Sequence, residues 1–141
     1  MFERRATRRG APHGAYSGRV TIPVPLEDLA EALTDRPWAY LMTVSDDARV
    51  HVVAVVPELT ASGLRVAEPG RRTRANADAR PDVTLAYPPT EPDGFTLVVD
   101  GTAAADEDGP LVVRPSSAVL HRPAPVASQD SSSRSSRRPV T

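Results

Sequence analysis

The chain has no cysteine and no lysine, and aromatic residues make up only 4% of it. The lack of cysteine excludes disulfides, thiolate catalysis, iron–sulfur clusters and cysteine-ligated zinc. The lack of lysine makes every one of the 17 basic residues an arginine. In a chain so rich in Ala, Val and Pro, this bias fits genomic base composition better than any one chemistry. No apolar run approaches the roughly 18 residues of a membrane-spanning helix. The N-terminal arginines are not followed by the apolar stretch of a secretory signal, so a cytoplasmic protein is expected, with no membrane partner. Only three histidines occur, His13, His51 and His121. No two of them have metal-ligand spacing, so no metal site is expected.

Charge is present but unevenly placed. Residues 1–9 carry four arginines against one glutamate, and residues 130–141 carry three arginines against one aspartate. With a formal net charge of −1 overall, the stretch between them is acidic. General nucleic-acid binding draws its affinity from neutralising phosphates, so an acidic body argues against it. Residues 1–22 show no periodicity and are expected to be flexible. Residues 124–141 are Ser/Arg-rich and are expected to be disordered. One domain of modest core, residues 23–123, is left between them.

Within that domain, Pro25 suits the first position of a helix. Leu26, Leu29, Ala30 and Leu33 follow helical spacing, so 25–35 reads as a short amphipathic helix ended by Pro37. Strands are expected at 38–45, 49–59, 64–68, 82–87, 95–105 and 111–115, with two helical turns at 73–79 and a final helical turn at 116–121. Gly101 inside the fifth strand suggests a bulge. Six short strands with tight connections and few helices predict a mainly β fold, an antiparallel barrel. Strand two, RVHVVAVVPEL, is apolar on both faces. One face therefore fills the barrel, and the other meets a second subunit or a flat ligand.

The chemistry-bearing stretch is EPGRRTRANADARPDVTL, with Arg71, Arg72 and Arg74 between a strand end and a helix start. Unpaired N–H groups at a helix start favour anions, and guanidinium forks grip phosphate oxygens. Thr73 and Asn76 add neutral hydrogen-bonding groups. Taken alone, such a cluster is most often a solvated surface. Asp46-Asp47 and Asp106–Asp108 read as turns, and no serine stands in a nucleophile elbow. Trp38 and Tyr40 share a strand face, suited to packing or to stacking on a planar cofactor.

The serial order AYLMTVSDDARVHVVAVVPEL, GLRVAEPGRRTRANADARPDVTLAY, FTLVVDGTAAADEDG resembles the pyridoxamine 5′-phosphate oxidase-like split β-barrel family. The resemblance spans roughly residues 26–115, and its most specific piece runs from Asn76 through Pro81 and Val83 to Leu85. It implies a six-stranded antiparallel split β-barrel with a short N-terminal helix and another after strand three. It also implies a homodimer that binds FMN, or alternatively F420, between its subunits and moves hydride to or from a small-molecule substrate. Val52, Val53 and Ala54 would line the ring. Arg71, Arg72, Thr73, Arg74 and Asn76 would surround the phosphate. A Lys common in that loop aligns with Thr73, and a Ser/Thr-Pro common in strand two aligns with Val53-Ala54. The residues that bind substrate phosphate in true pyridoxamine phosphate oxidases have no match after Arg114, so vitamin B6 oxidation is not the expected reaction. The alternative is a protein that binds or carries flavin, F420 or haem without turnover, with His51 or His121 as the axial ligand for haem.

Overall fold

Proline and leucine spacing start the first helical segment as the sequence dictates. In the computed structural model, which describes residues 20–125, Pro25 precedes a 3₁₀ turn at Leu26–Asp28 that runs into helix α1, Leu29–Ala32. The segment is shorter than its periodicity suggests. The chain leaves the helix through backbone bonds at Thr34 and Arg36, before Pro37 is reached. Leu29 is its buried anchor.

Among the described residues, eight strands form one antiparallel sheet. They are β1 Val20–Pro23, β2 Ala39–Val44, β3 Val50–Val55, β4 Glu58–Thr60, β5 Gly63–Val66, β6 Asp82–Tyr87, β7 Thr96–Ala105 and β8 Leu111–Arg122. The order across the sheet is β3-β2-β6-β7-β8-β5-β4, with β1 paired to β8. β3 and β4 stand at opposite ends of this order, yet only Val56 and Pro57 separate them in the chain. So short a link requires the sheet to curl until its two ends nearly meet. The antiparallel split barrel expected from the sequence is the fold observed.

Three expectations about elements are corrected. The expected strand 49–59 is two strands, because Pro57 has no N–H for a ladder and the chain turns there toward the other sheet end. The final helical turn expected at 116–121 is absent, and β8 continues through it. Ser116 there is the extra residue of a bulge, since Asp100 pairs with Ser117 and Gly101 with Pro115. β1 is the third. Val20–Thr21–Ile22 lies in a stretch expected to be flexible, and four residues are too few to show a period. The remaining terminal residues expected to lack structure lie outside the described residues.

Gly101, read as a bulge from sequence, sits at that irregularity. A Cβ there would come within 2.5 Å of the Arg114 carbonyl oxygen. Gly63 is held at φ 135° with its would-be Cβ 2.5 Å from the Val113 carbonyl oxygen, so two backbones cross closely at both glycines.

The interior is filled by Leu41, Leu64, Leu85, Leu97, Val99, Leu111, Val113 and Tyr87. These come from alternate positions of the strands, as a one-sided core requires. Tyr87 is the largest of them, and its hydroxyl is buried with no hydrogen-bond partner. Burial pushes its pKa up to about 12. Among the described residues no helix is long and apolar enough to cross a membrane.

Candidate functional site

Helix α2, Arg71–Ala79, follows Gly70, whose φ of 89° turns the chain off β5. No side chain caps its N-terminus, and its first turn has no acidic residue. Arg71 and Arg72 therefore stand at the positive end of the helix dipole, a locally unfavourable arrangement that a bound anion would offset. The helix docks on the sheet through Thr73, Asn76 and Ala77, its buried residues, at helical spacing. Asn76 Nδ2 donates to Thr43 Oγ1 of β2 at 3.0 Å, both residues being buried. At the other end, Arg80 pairs with Asp46 at 2.9 Å, which ties the helix to the β2–β3 turn. Both partners are solvent-exposed, so the pair positions the turn more than it stabilises the fold.

Between that turn and α2 lies a cleft of about 450 Å³. Ser45, Asp46, Asp47, Arg49, Val50 and His51 line it from the hairpin, and Arg72 and Asn76 from the helix. The two carboxylates are engaged, Asp46 by Arg80 and Asp47 as acceptor from Ser45 Oγ. Arg49 and Arg72 have no carboxylate partner among the described residues. The cleft thus offers two uncommitted guanidinium groups beside a helix N-terminus, a setting that suits a phosphate or carboxylate.

The residues picked from the sequence separate into groups. Arg72 and Asn76 line the cleft together. Arg71 is exposed at the helix start. Thr73 is buried beneath the helix. Arg74 is turned away, its Nη1 donating to the Gly109 carbonyl at 2.7 Å. Val52 and Ala54 lie on the outer, exposed face of β3, whereas Val53 points inward against the core. Ser45 and Arg49 are not among the residues expected from the sequence, and His51 is expected there only as an axial ligand for haem. Their one sequence signal is that they flank the Asp46–Asp47–Ala48 turn, and only the packing of α2 turns that flank into a cleft wall.

Outside the cleft, the outer face of β2 and β3 is apolar. Tyr40 opposes Ala54, Met42 opposes Val52, and Val44 opposes Val50. Val50 is 62% and Val52 50% exposed, and Tyr40 is also uncovered. Trp38 lies beside Tyr40, their ring centroids 4.9 Å apart in an edge-on arrangement. A surface like this is rare on a free monomer. Among the described residues no cluster of His, Asp and Glu could hold a metal ion.

No protein-family model matches the chain. Two curated proteins do. They are the uncharacterized protein Mb0449c of Mycobacterium bovis and the uncharacterized protein MT0457 of Mycobacterium tuberculosis, each 46% identical over 116 residues, covering 72% of this chain and 82% of the relative. Among solved structures, the FAD-binding protein from Mycobacterium smegmatis superposes with a TM-score of 0.57 at 14% identity, covering 73% of this chain and 98% of the other. An F420 reductase gives 0.52 at 24% identity, covering 62% and 94%. HutZ, the haem storage protein from Vibrio cholerae, gives 0.52 at 14%, covering 67% and 93%. At these identities the structural likeness establishes the fold alone. By sequence, the chain belongs to the same family as the mycobacterial proteins Mb0449c and MT0457.

Proposed function

We propose that the protein is a pyridoxamine 5′-phosphate oxidase-like oxidoreductase that binds FMN, or F420 in its place, between the subunits of a homodimer. The observation that carries this reading is the adjacency of two surfaces. A cleft with uncommitted Arg49 and Arg72 opens at the β2–β3 turn, and the uncovered apolar face of the same two strands begins at Val44 and Val50. A flat, largely apolar ring on an anionic chain needs these two surfaces side by side. The structural neighbours named for F420 and FAD share the fold, which supports the reading.

In this assignment Arg72 and Arg49 hold the cofactor phosphate, and Asn76 orients the cleft wall through its bond to Thr43. Arg71 adds long-range attraction. Val52 and Ala54 give the ring an apolar floor, and Val53 stiffens that strand from below. Thr73 and Arg74 fix the helix and the β7–β8 turn, so their contribution to binding is indirect. When bound, the cofactor supplies hydride transfer, while the protein contributes orientation and exclusion of water. A second copy of the chain closes over the apolar face and completes that exclusion.

The test is spectroscopic. The full chain is titrated with FMN and with F420 and followed by visible absorbance and sedimentation. Stoichiometric binding of one of them by a dimer is expected, and Arg72→Glu should weaken it by about a hundredfold. A monomer that takes up neither cofactor sinks the reading. Tight binding without substrate-dependent reduction or reoxidation would leave a carrier in place of an enzyme.

A further inference from the structure

A second concavity lies on the outer side of β7 and β8, away from the α2 cleft. It is formed by two adjoining depressions of about 520 and 400 Å³ that share Ser62 and Arg114 among their lining residues. In one direction the lining is mostly apolar, with Leu26, Leu29 and Ala30 from the helical segment and Leu59 from β4, beside Glu27 and Thr60. Leu26 and Leu59 are each 42% exposed there. In the other direction the floor is made of cross-strand pairs, Thr102 with Arg114 and Ala104 with Val112. Ser62 therefore stands with Arg114 where the depressions meet, and Thr102 is paired with Arg114 across the strands. Among the described residues no carboxylate pairs with Arg114. Glu27 lines only the apolar depression and Asp106 only the other, so neither belongs to the shared junction.

A mostly apolar trough ending on a cation beside a serine is built for one kind of molecule. We propose that this groove binds a monocarboxylate with an apolar tail, the carboxylate on Arg114 and the tail between Leu26 and Leu59. A ligand of this kind carries one negative charge for one guanidinium and buries its chain against the exposed leucines. The site is separate from the α2 cleft and does not depend on the function proposed there.

The experiment is calorimetric titration of the full chain with sodium octanoate, and with 1-octanol as the uncharged counterpart. Saturable one-to-one binding of octanoate is expected, at least tenfold tighter than octanol. Arg114→Gln should weaken octanoate at least tenfold and Leu59→Ser several-fold. Arg72→Gln should leave it unchanged. Both groove side chains are on the surface, and thermal unfolding of each variant should match the parent. Absence of octanoate binding overturns the proposal. So does octanol binding as tightly as octanoate, an Arg114→Gln variant that keeps full affinity, or a loss in Arg72→Gln equal to that in Arg114→Gln.

Discussion

One cross-strand row on the outside of the barrel changes character halfway along. It reads Val52, Met42, Thr84, Asp100 and Ser117, from β3 to β8. The first two residues present apolar surface. The last three are polar, and Thr84 Oγ1 donates to Asp100 Oδ1 at 2.6 Å. Both halves belong to one sheet and face the same way. The polar half is finished as it stands. The apolar half keeps about 25 cal/mol of unfavourable free energy for each Å² left in water, which a partner or ligand recovers on covering it. The function is therefore sought on the β2–β3 side, and the difference between the halves can be tested directly.

The largest effect should follow from breaking the apolar half. Val52→Asp places a charge where the proposed second copy packs, and should weaken dimerisation by at least a hundredfold in sedimentation equilibrium. Because Val52 is half exposed, monomer stability should change by only about 0.5 kcal/mol. Asp100→Asn, the matching change in the polar half, should leave dimerisation within about threefold, since an exposed hydrogen bond is worth little.

The next effect belongs to the cleft beside the apolar half. Arg72→Glu should weaken FMN or F420 binding by about a hundredfold, as a lost charge-assisted contact is joined by repulsion. Arg74→Ala should weaken it only several-fold, because that guanidinium is committed to the Gly109 carbonyl. Visible-absorbance titration of the two variants separates a contact from a support.

Asn76→Ala leaves the buried Thr43 hydroxyl without its donor and should cost about 2 kcal/mol in urea unfolding. Adding Thr43→Val should recover part of that loss, because the orphaned group is then removed.

The smallest effect is at Tyr87. Tyr87→Phe deletes a hydroxyl that has no partner, so stability at pH 7 should stay level or rise by about 1 kcal/mol. The folded pKa of about 12 lies above the unfolded value of 10. Stability from the neutral phenol is thus complete below pH 10 and declines as pH rises from 10 toward 12, and chemical denaturation across that range should show no such Tyr87 decline in the phenylalanine variant.

The sequence was legible wherever one local rule acted alone. β6 was bounded correctly at 82–87 because its alternation lies between Pro81 and Pro88, and Gly101 announced its bulge. It failed where a distant strand decides. Pro115-Ser116-Ser117 has the composition of a turn, yet pairing with β7 absorbs it into a long strand. The candidate site shows the same division. The arginine cluster pointed to an anion, but which arginines face the cleft depends on how α2 is rotated on the sheet. Asn76 and Thr43 set that rotation from 33 residues apart. Arg49 and His51 enter the cleft for the same reason, and local composition has no means of reporting it.

The two-residue link at Val56–Pro57 has a kinetic consequence. The β2–β3 hairpin can form from neighbours in the chain, whereas β4 reaches its place only through β5, which pairs with β8 far along the chain, as in Leu64 with Val113. Closing the barrel must therefore wait for the C-terminal strand. Refolding should be limited by that late stitch, so that a proline placed within Leu111–Val113, the part of β8 that pairs with β5, slows or prevents closure while the β2–β3 hairpin still forms early.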